Sequence, residues 1–222
     1  IVLLGLLSLV LAMVRRSSPL LRGERLPFFD VFWSVVPNGL ALACSSAGFG
    51  SLTAFIALYF DSLGWANAAW CLTGFGAAFI VARLVTPNVV VRFGGYPVVT
   101  VCLLVQGLGL LLIWLAPSPE IAIFGASLTG MGVSWVYPGL AVETLARTPD
   151  ANRNSALSAL SLFFDLAVGL AGPLMGLAAA SLGLAEVFLG AALLSAVGFI
   201  LVLSLRRRHV QPSTGALNGA PH

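Results

Sequence analysis

All eleven basic residues of this 222-residue chain are arginines, and they recur at every second junction between long apolar runs. They are Arg15, Arg16, Arg22, Arg25, Arg83, Arg92, Arg147, Arg153, Arg206, Arg207 and Arg208; the intervening junctions hold Asp61, Glu120 and Glu186 and no base. Loop arginines sort to the cytoplasmic face during membrane insertion. The pattern therefore predicts apolar segments threaded back and forth through a bilayer, with every arginine junction on one side. Composition agrees: 59% of residues are hydrophobic and 9% charged, against about 25% charged in soluble domains. A water-facing surface cannot be built from this material.

Six apolar segments, at about residues 28–60, 63–86, 96–116, 120–142, 155–181 and 184–205, are each long enough to cross, since a helix needs about 20 residues for roughly 30 Å of hydrocarbon. The predicted fold is an all-α polytopic six-helix bundle over 28–205. Residues 1–14 are apolar but too short to cross, and read as the truncated end of a preceding span. Residues 15–27, with two prolines and four arginines, read as a cytoplasmic loop. The tail 206–222 reads as cytoplasmic and disordered, being rich in Gly, Pro, Ser and Asn. Six crossings return the chain to its starting side, and both flanking segments are arginine-rich, as that parity requires. The partner these features imply is the lipid bilayer. Dispersed loop arginines form no basic helix face, so nucleic acid is not expected.

Enzyme chemistry finds little to work with. Both histidines, His209 and His222, lie in the tail, and Cys44, Cys71 and Cys102 sit singly in apolar runs. No His-based dyad or metal site is expected, no phosphate-binding Gly-Lys loop occurs, and no cofactor is implied.

Specific strings narrow the class. Ala82-Arg83-Leu84 precedes Asn88-Val89-Val90-Val91-Arg92-Phe93-Gly94-Gly95, and Tyr137-Pro138-Gly139-Leu140 leads to Glu143. Asn152-Arg153-Asn154-Ser155-Ala156 and Phe163-Phe164-Asp165-Leu166 follow, then Gly169-Leu170-Ala171-Gly172-Pro173-Leu174-Met175-Gly176. The first junction resembles the degenerate second-half copy of the major facilitator superfamily loop motif, with Val91 where that motif carries an acid. The last string resembles the Gly-x-x-x-Gly-Pro-x-x-Gly antiporter motif, displaced to the symmetry-related span. Together they resemble the carboxyl-terminal half of a bacterial major facilitator transporter of the arabinose-efflux permease branch. The resemblance implies a twelve-helix transporter of the bacterial cytoplasmic membrane whose amino-terminal half is a further partner. It implies alternating access around a midplane site and a small-molecule substrate.

Candidate residues follow. Asp165 lies about ten residues into its span, roughly 15 Å deep at 1.5 Å per residue. A carboxylate there marks a substrate or proton pathway, or is a structural carboxyl bonded to a neighbouring helix. In the first span, Pro37-Asn38-Gly39 is expected to interrupt the helix near mid-depth, where Asn38 either meets solute or bridges helices. Arg83, Arg92, Glu143 and Arg153 are candidates for a cytoplasmic gate, with Arg83 placed to pair with Glu143 and Arg147 beside it; ordinary loop solvation is the alternative. Trp135 and Tyr137, beside Pro138, either line a cavity or anchor at the interface. Gly169, Gly172, Pro173 and Gly176 are expected to permit a close crossing and a kink. Gln106 reads as a helix-packing residue. The function implied is proton-coupled efflux of a small organic solute, with uptake by symport or a non-transporting receptor or scaffold bundle as alternatives.

Overall fold

The structure is a computed structural model and describes residues 27–210. The expected partial span 1–14, most of the 15–27 loop with Arg15, Arg16, Arg22 and Arg25, and the tail from residue 211 lie outside the described residues. The helices are α1 (Phe28–Ser62), α2 (Ala69–Val85), α3 (Val89–Phe93), α4 (Gly95–Trp114), α5 (Pro119–Val133), α6 (Val136–Leu145), α7 (Arg153–Leu182) and α8 (Leu184–Val210). Backbone groups in hydrocarbon must be satisfied within their own segment, which is why the apolar runs become helices. The two halves of the fourth run, α5 and α6, together make one crossing from Pro119 to Leu145.

Three boundaries differ from the sequence expectation. The second span is shorter, because residues 63–68 form a connector with left-handed backbone at Gly64 (φ 67°) and Asn67 (φ 66°). The fourth extends past residue 142, so Glu143 is a helical residue and not a loop one. The last helix runs on through the arginines to Val210. A further correction concerns α1, which continues through Pro37 instead of breaking there. Pro37 lies on an exposed face, and its fixed φ near −65° is already helical. The neighbouring Gly39 serves packing: a Cβ there would fall into the Phe163 ring of α7.

Helix pairing carries an internal symmetry. α1 packs on α7 and on α8, α4 packs on α5 and on α8, and α2 packs on α5. Number the spans one to six, and exchanging the first three for the last three maps these pairings onto themselves. A unit of three crossings ends on the opposite side from its start, so the two units are inverted in the membrane. Junctions holding Arg83, Arg92, Arg147, Arg153, Arg206 and Arg207 therefore share one end, and Asp61, Glu120 and Glu186 the other. Side-chain bonds tie each end together: Glu143 reaches the start of α4 at the first, and Trp114 donates to Glu186 at the second (3.3 Å).

The core divides into two apolar clusters, one around Val35, Leu42, Leu103 and Leu160, the other around Leu52, Ile56, Leu110 and Phe188. Between them Gln106 of α4 is fully buried, accepting from Ser45 Oγ (2.6 Å) and donating to the Ser45 carbonyl (2.7 Å). The packing role expected for Gln106 is the one it has here. Among the described residues no buried side-chain nitrogen or oxygen lacks a partner, as a low-dielectric interior demands.

Candidate functional site

The site begins with a proline. An α-helical carbonyl accepts from the N–H four residues on, and the residue four after Ser134 is Pro138, which has none. The fourth span hitches at this point: Trp135 takes φ −109° and ψ 2°, outside the helical well, and α6 restarts at Val136. The orphaned Ser134 carbonyl is taken by Arg83 of α2, whose Nε and Nη2 donate at 3.1 and 3.0 Å. The guanidinium also lies 4.7 Å from the Phe79 ring centroid and 5.8 Å from that of Trp135. An exposed arginine is thereby held on two sides, by a fork on one oxygen and by stacking.

Arg83 stands in the wall of an open cavity of about 580 Å³. Four spans line it: Phe49 from α1, Phe75 and Phe79 from α2, Val133 and Tyr137 from the hitched span, and Phe164 from α7. The rings contact one another, with Phe49–Phe75 and Phe75–Phe79 stacked and Tyr137 edge-on to Phe164. Polar atoms are few. The Tyr137 and Ser161 hydroxyls share a hydrogen bond of 2.8 Å, and Arg83 supplies the charge. Of the two roles open to Tyr137, lining this cavity is the one it takes. Trp135 turns instead to the connector, donating to Thr86 Oγ1 (3.0 Å).

A polar network closes the arginine-bearing end. Glu143 Oε1 accepts from the backbone N–H groups of Gly95 (2.9 Å) and Tyr96 (3.2 Å), the first donors of α4. A carboxylate there satisfies orphan donors and meets the positive end of the helix dipole. Its other oxygen pairs with Arg147 at 3.4 Å. Arg147 donates to the Tyr96 hydroxyl (2.6 Å), which donates to Asn38 Oδ1 (3.0 Å), while Asn38 Nδ2 donates to Thr144 Oγ1 (2.9 Å). The chain of bonds joins α1, α4 and α6. It also explains Gly94-Gly95: Gly94 needs φ +83°, and a Cβ on Gly95 would strike the Gly139 carbonyl and Glu143.

The structure brings some of the expected residues together and separates others. Arg83 does not pair with Glu143; each has its own partners. Asn38 is 3% exposed with both amide atoms engaged, so it bridges helices. Arg92 is exposed and rests 5.3 Å from the Phe93 ring. Arg153 pairs with Asp150 at 3.0 Å, both well exposed, where such pairs contribute little. Asp165 is exposed, and among the described residues no hydrogen bond or ion pair reaches it. At 100° per residue it shares one face of α7 with Gly169, Gly172 and Gly176. The close crossing expected of these glycines is absent within the bundle: nothing lies within 4 Å of a Cβ on Gly169 or Gly172. Pro173 lies inside α7, whose helix runs on through it to Leu182.

Sequence reasoning missed Ser134, Tyr96, Thr144 and the phenylalanine walls. Only Ser134 carried a signal, its position four before a proline.

A family model for the Major Facilitator Superfamily matches residues 2–221. The chain belongs to that superfamily. The Major Facilitator Superfamily is one of transporters and not of enzymes. The chain is 48% identical over 212 residues to an uncharacterized MFS-type transporter of Pseudomonas aeruginosa (strain UCBPP-PA14), covering 96% of this chain and 53% of that protein. It is 44% identical over 213 residues to another from Burkholderia mallei (strain SAVP1), covering 96% and 52%. It thus spans about half the length of the curated relatives it matches. Among solved structures it resembles a POT peptide transporter crystallised with alafosfalin (TM-score 0.68, 14% identity, 82% of this chain and 42% of that one). An auto-inhibited POT family peptide transporter is similar (TM-score 0.66, 18% identity, 82% and 38%). These structural likenesses show the major facilitator half-fold alone.

Proposed function

We propose that the chain is the carboxyl-terminal bundle, residues 28–205, of a secondary active transporter of the bacterial cytoplasmic membrane. On this reading both flanking segments are cytoplasmic, and the bundle rocks against an amino-terminal half around a shared midplane site. The observation that carries it is the open aromatic cavity walled by four spans, α1, α2, the paired α5 and α6, and α7. Proton-coupled efflux of a small organic solute is the mode, with Asp165 as proton carrier. Its support is a carboxylate in a membrane span that no residue of the bundle pairs, on the open face of α7 one turn from Ser161. The network of Asn38, Tyr96, Glu143 and Arg147 latches the cytoplasmic ends; Arg92 and Arg153 remain candidates for its outer edge. Gly169, Gly172, Pro173 and Gly176 serve as the sliding face toward the other half.

The test uses everted membrane vesicles holding the intact transporter, energised by respiration and read with a pH-gradient dye. Organic solutes added outside should release lumenal protons if the transporter exports. Release only from preloaded solute indicates symport. Asp165→Asn should abolish the proton release while solute binding persists. Coupled flux unchanged in that variant would remove Asp165 from the mechanism, and no solute-evoked response from any of a broad panel would leave a non-transporting bundle.

A further inference from the structure

We infer that the aromatic cavity takes an organic anion, a flat apolar or aromatic body bearing one carboxylate, and that Arg83 binds the carboxylate. This rests on the transport reading and names its substrate class.

Arginine stays protonated in proteins, and Arg83 stands in the last turn of α2, at the arginine-bearing end of the cavity wall. The ion pairs among the described residues are Arg147–Glu143 and Arg153–Asp150, and none of the described carboxylates lies within pairing distance of Arg83. Its neutral acceptor, the Ser134 carbonyl, occupies Nε and Nη2. Nη1 has no acceptor among the described residues and keeps two N–H donors for a ligand. Among the described residues the positive charge is thus held but not neutralised.

Geometry makes that charge suitable for recognition. The proline-generated carbonyl and the Phe79 ring fix the guanidinium before any ligand arrives, so little side-chain entropy remains to be lost on binding. A charge-assisted bond from a fixed donor is stronger and more directional than one from a mobile lysine. Around it the walls are phenylalanine, and the Tyr137–Ser161 hydroxyl pair gives one secondary polar contact. The volume of about 580 Å³ admits a two-ring body. Rings alone would also hold a cation through their faces, but Arg83 on the wall repels one where screening is weak. A neutral solute fills the cavity yet leaves the charge unmatched. Only an anion satisfies both the walls and the arginine.

The experiment uses the intact purified transporter and three naphthalene probes of similar size: 2-naphthoate, 2-naphthamide and 2-naphthylmethylammonium. Titration calorimetry should show naphthoate binding about tenfold more tightly than the amide, with the ammonium weakest. Arg83→Gln keeps a donor for the Ser134 carbonyl and removes the charge. It should erase the naphthoate preference, so that naphthoate and naphthamide bind alike. Arg83→Lys should keep a reduced preference. Equal binding of the three probes, preference for the ammonium, no binding of any, or a naphthoate preference that survives Arg83→Gln each overturns the inference. The three-probe comparison needs no variant, so a misfolded mutant cannot rescue it. Proton-coupled flux of a cationic or neutral solute by the same preparation would leave transport standing without the anion site. Anion binding with no flux of any solute would do the reverse.

Discussion

Replacing Glu143 separates two roles that its position allows, a mobile gate charge or a fixed cap on α4. Its Oε1 meets two backbone donors at 2.9 and 3.2 Å, Oε2 pairs with Arg147 at 3.4 Å, and the side chain is only 19% exposed. Glu143→Gln retains a carbonyl oxygen for both donors and loses only charge. The helix-terminus interaction contributes about 0.3–1 kcal/mol and the i,i+4 pair about 0.3–0.5 kcal/mol, so the loss is about 1 kcal/mol. Glu143→Ala also strands two N–H groups at the start of α4. With one orphaned donor costing about 1–3 kcal/mol and the second bond long, the total is about 3 kcal/mol. For a unit of this size each kcal/mol moves Tm by about 2–4 °C. Thermal unfolding of the intact transporter in detergent should therefore fall by about 3 °C for Gln and about 10 °C for Ala. Equal shifts in the two variants would refute the cap, because charge would then be the whole contribution. No shift in either would show that water serves the α4 donors as well as Glu143 does.

Two further outcomes follow from the packing. Gly130→Ala should lower thermal stability by an amount corresponding to about 1–3 kcal/mol, since its Cβ would enter the Phe75 carbonyl of α2. Gly172→Ala, with open space around it in the bundle, should cost under about 0.5 kcal/mol and show itself in solute flux; the reverse order in a melting series would contradict the helix pairing. Pro138→Ala restores an N–H that competes with Arg83 for the Ser134 carbonyl. The destabilisation caused by Arg83→Met should then shrink by about 1 kcal/mol in a double-mutant cycle, and strictly additive costs would rule out the proline–arginine link.

Part of this molecule was legible residue by residue. Arginine placement and apolar run length sufficed for six crossings and their grouping at two ends, and the strings around Arg92, Pro138 and Asp165 carried the family. Gln106 was readable as a packing residue because a lone neutral amide in hydrocarbon needs a partner. The site was much less legible. Glycines 130 and 172 look alike in sequence, yet one sits against a neighbouring backbone and the other faces open space. Arg83 and Glu143 read as a pair because both lie at the same end of the bundle. In three dimensions a proline-freed carbonyl claims the first, and the buried start of α4 claims the second.

The division has a physical cause. Lipid offers backbone groups no hydrogen bonds, so each span must close its own and is specified by its own stretch of chain; spans and helix type were therefore determined by the sequence alone. Which helix meets which depends on small-residue packing and a few polar bonds, with no hydrophobic force between helices to announce it. Asn38 finds Thr144 across 106 positions and Arg83 finds Ser134 across 51. Only the tertiary structure decided those pairings, because each joins helices that are far apart in the chain.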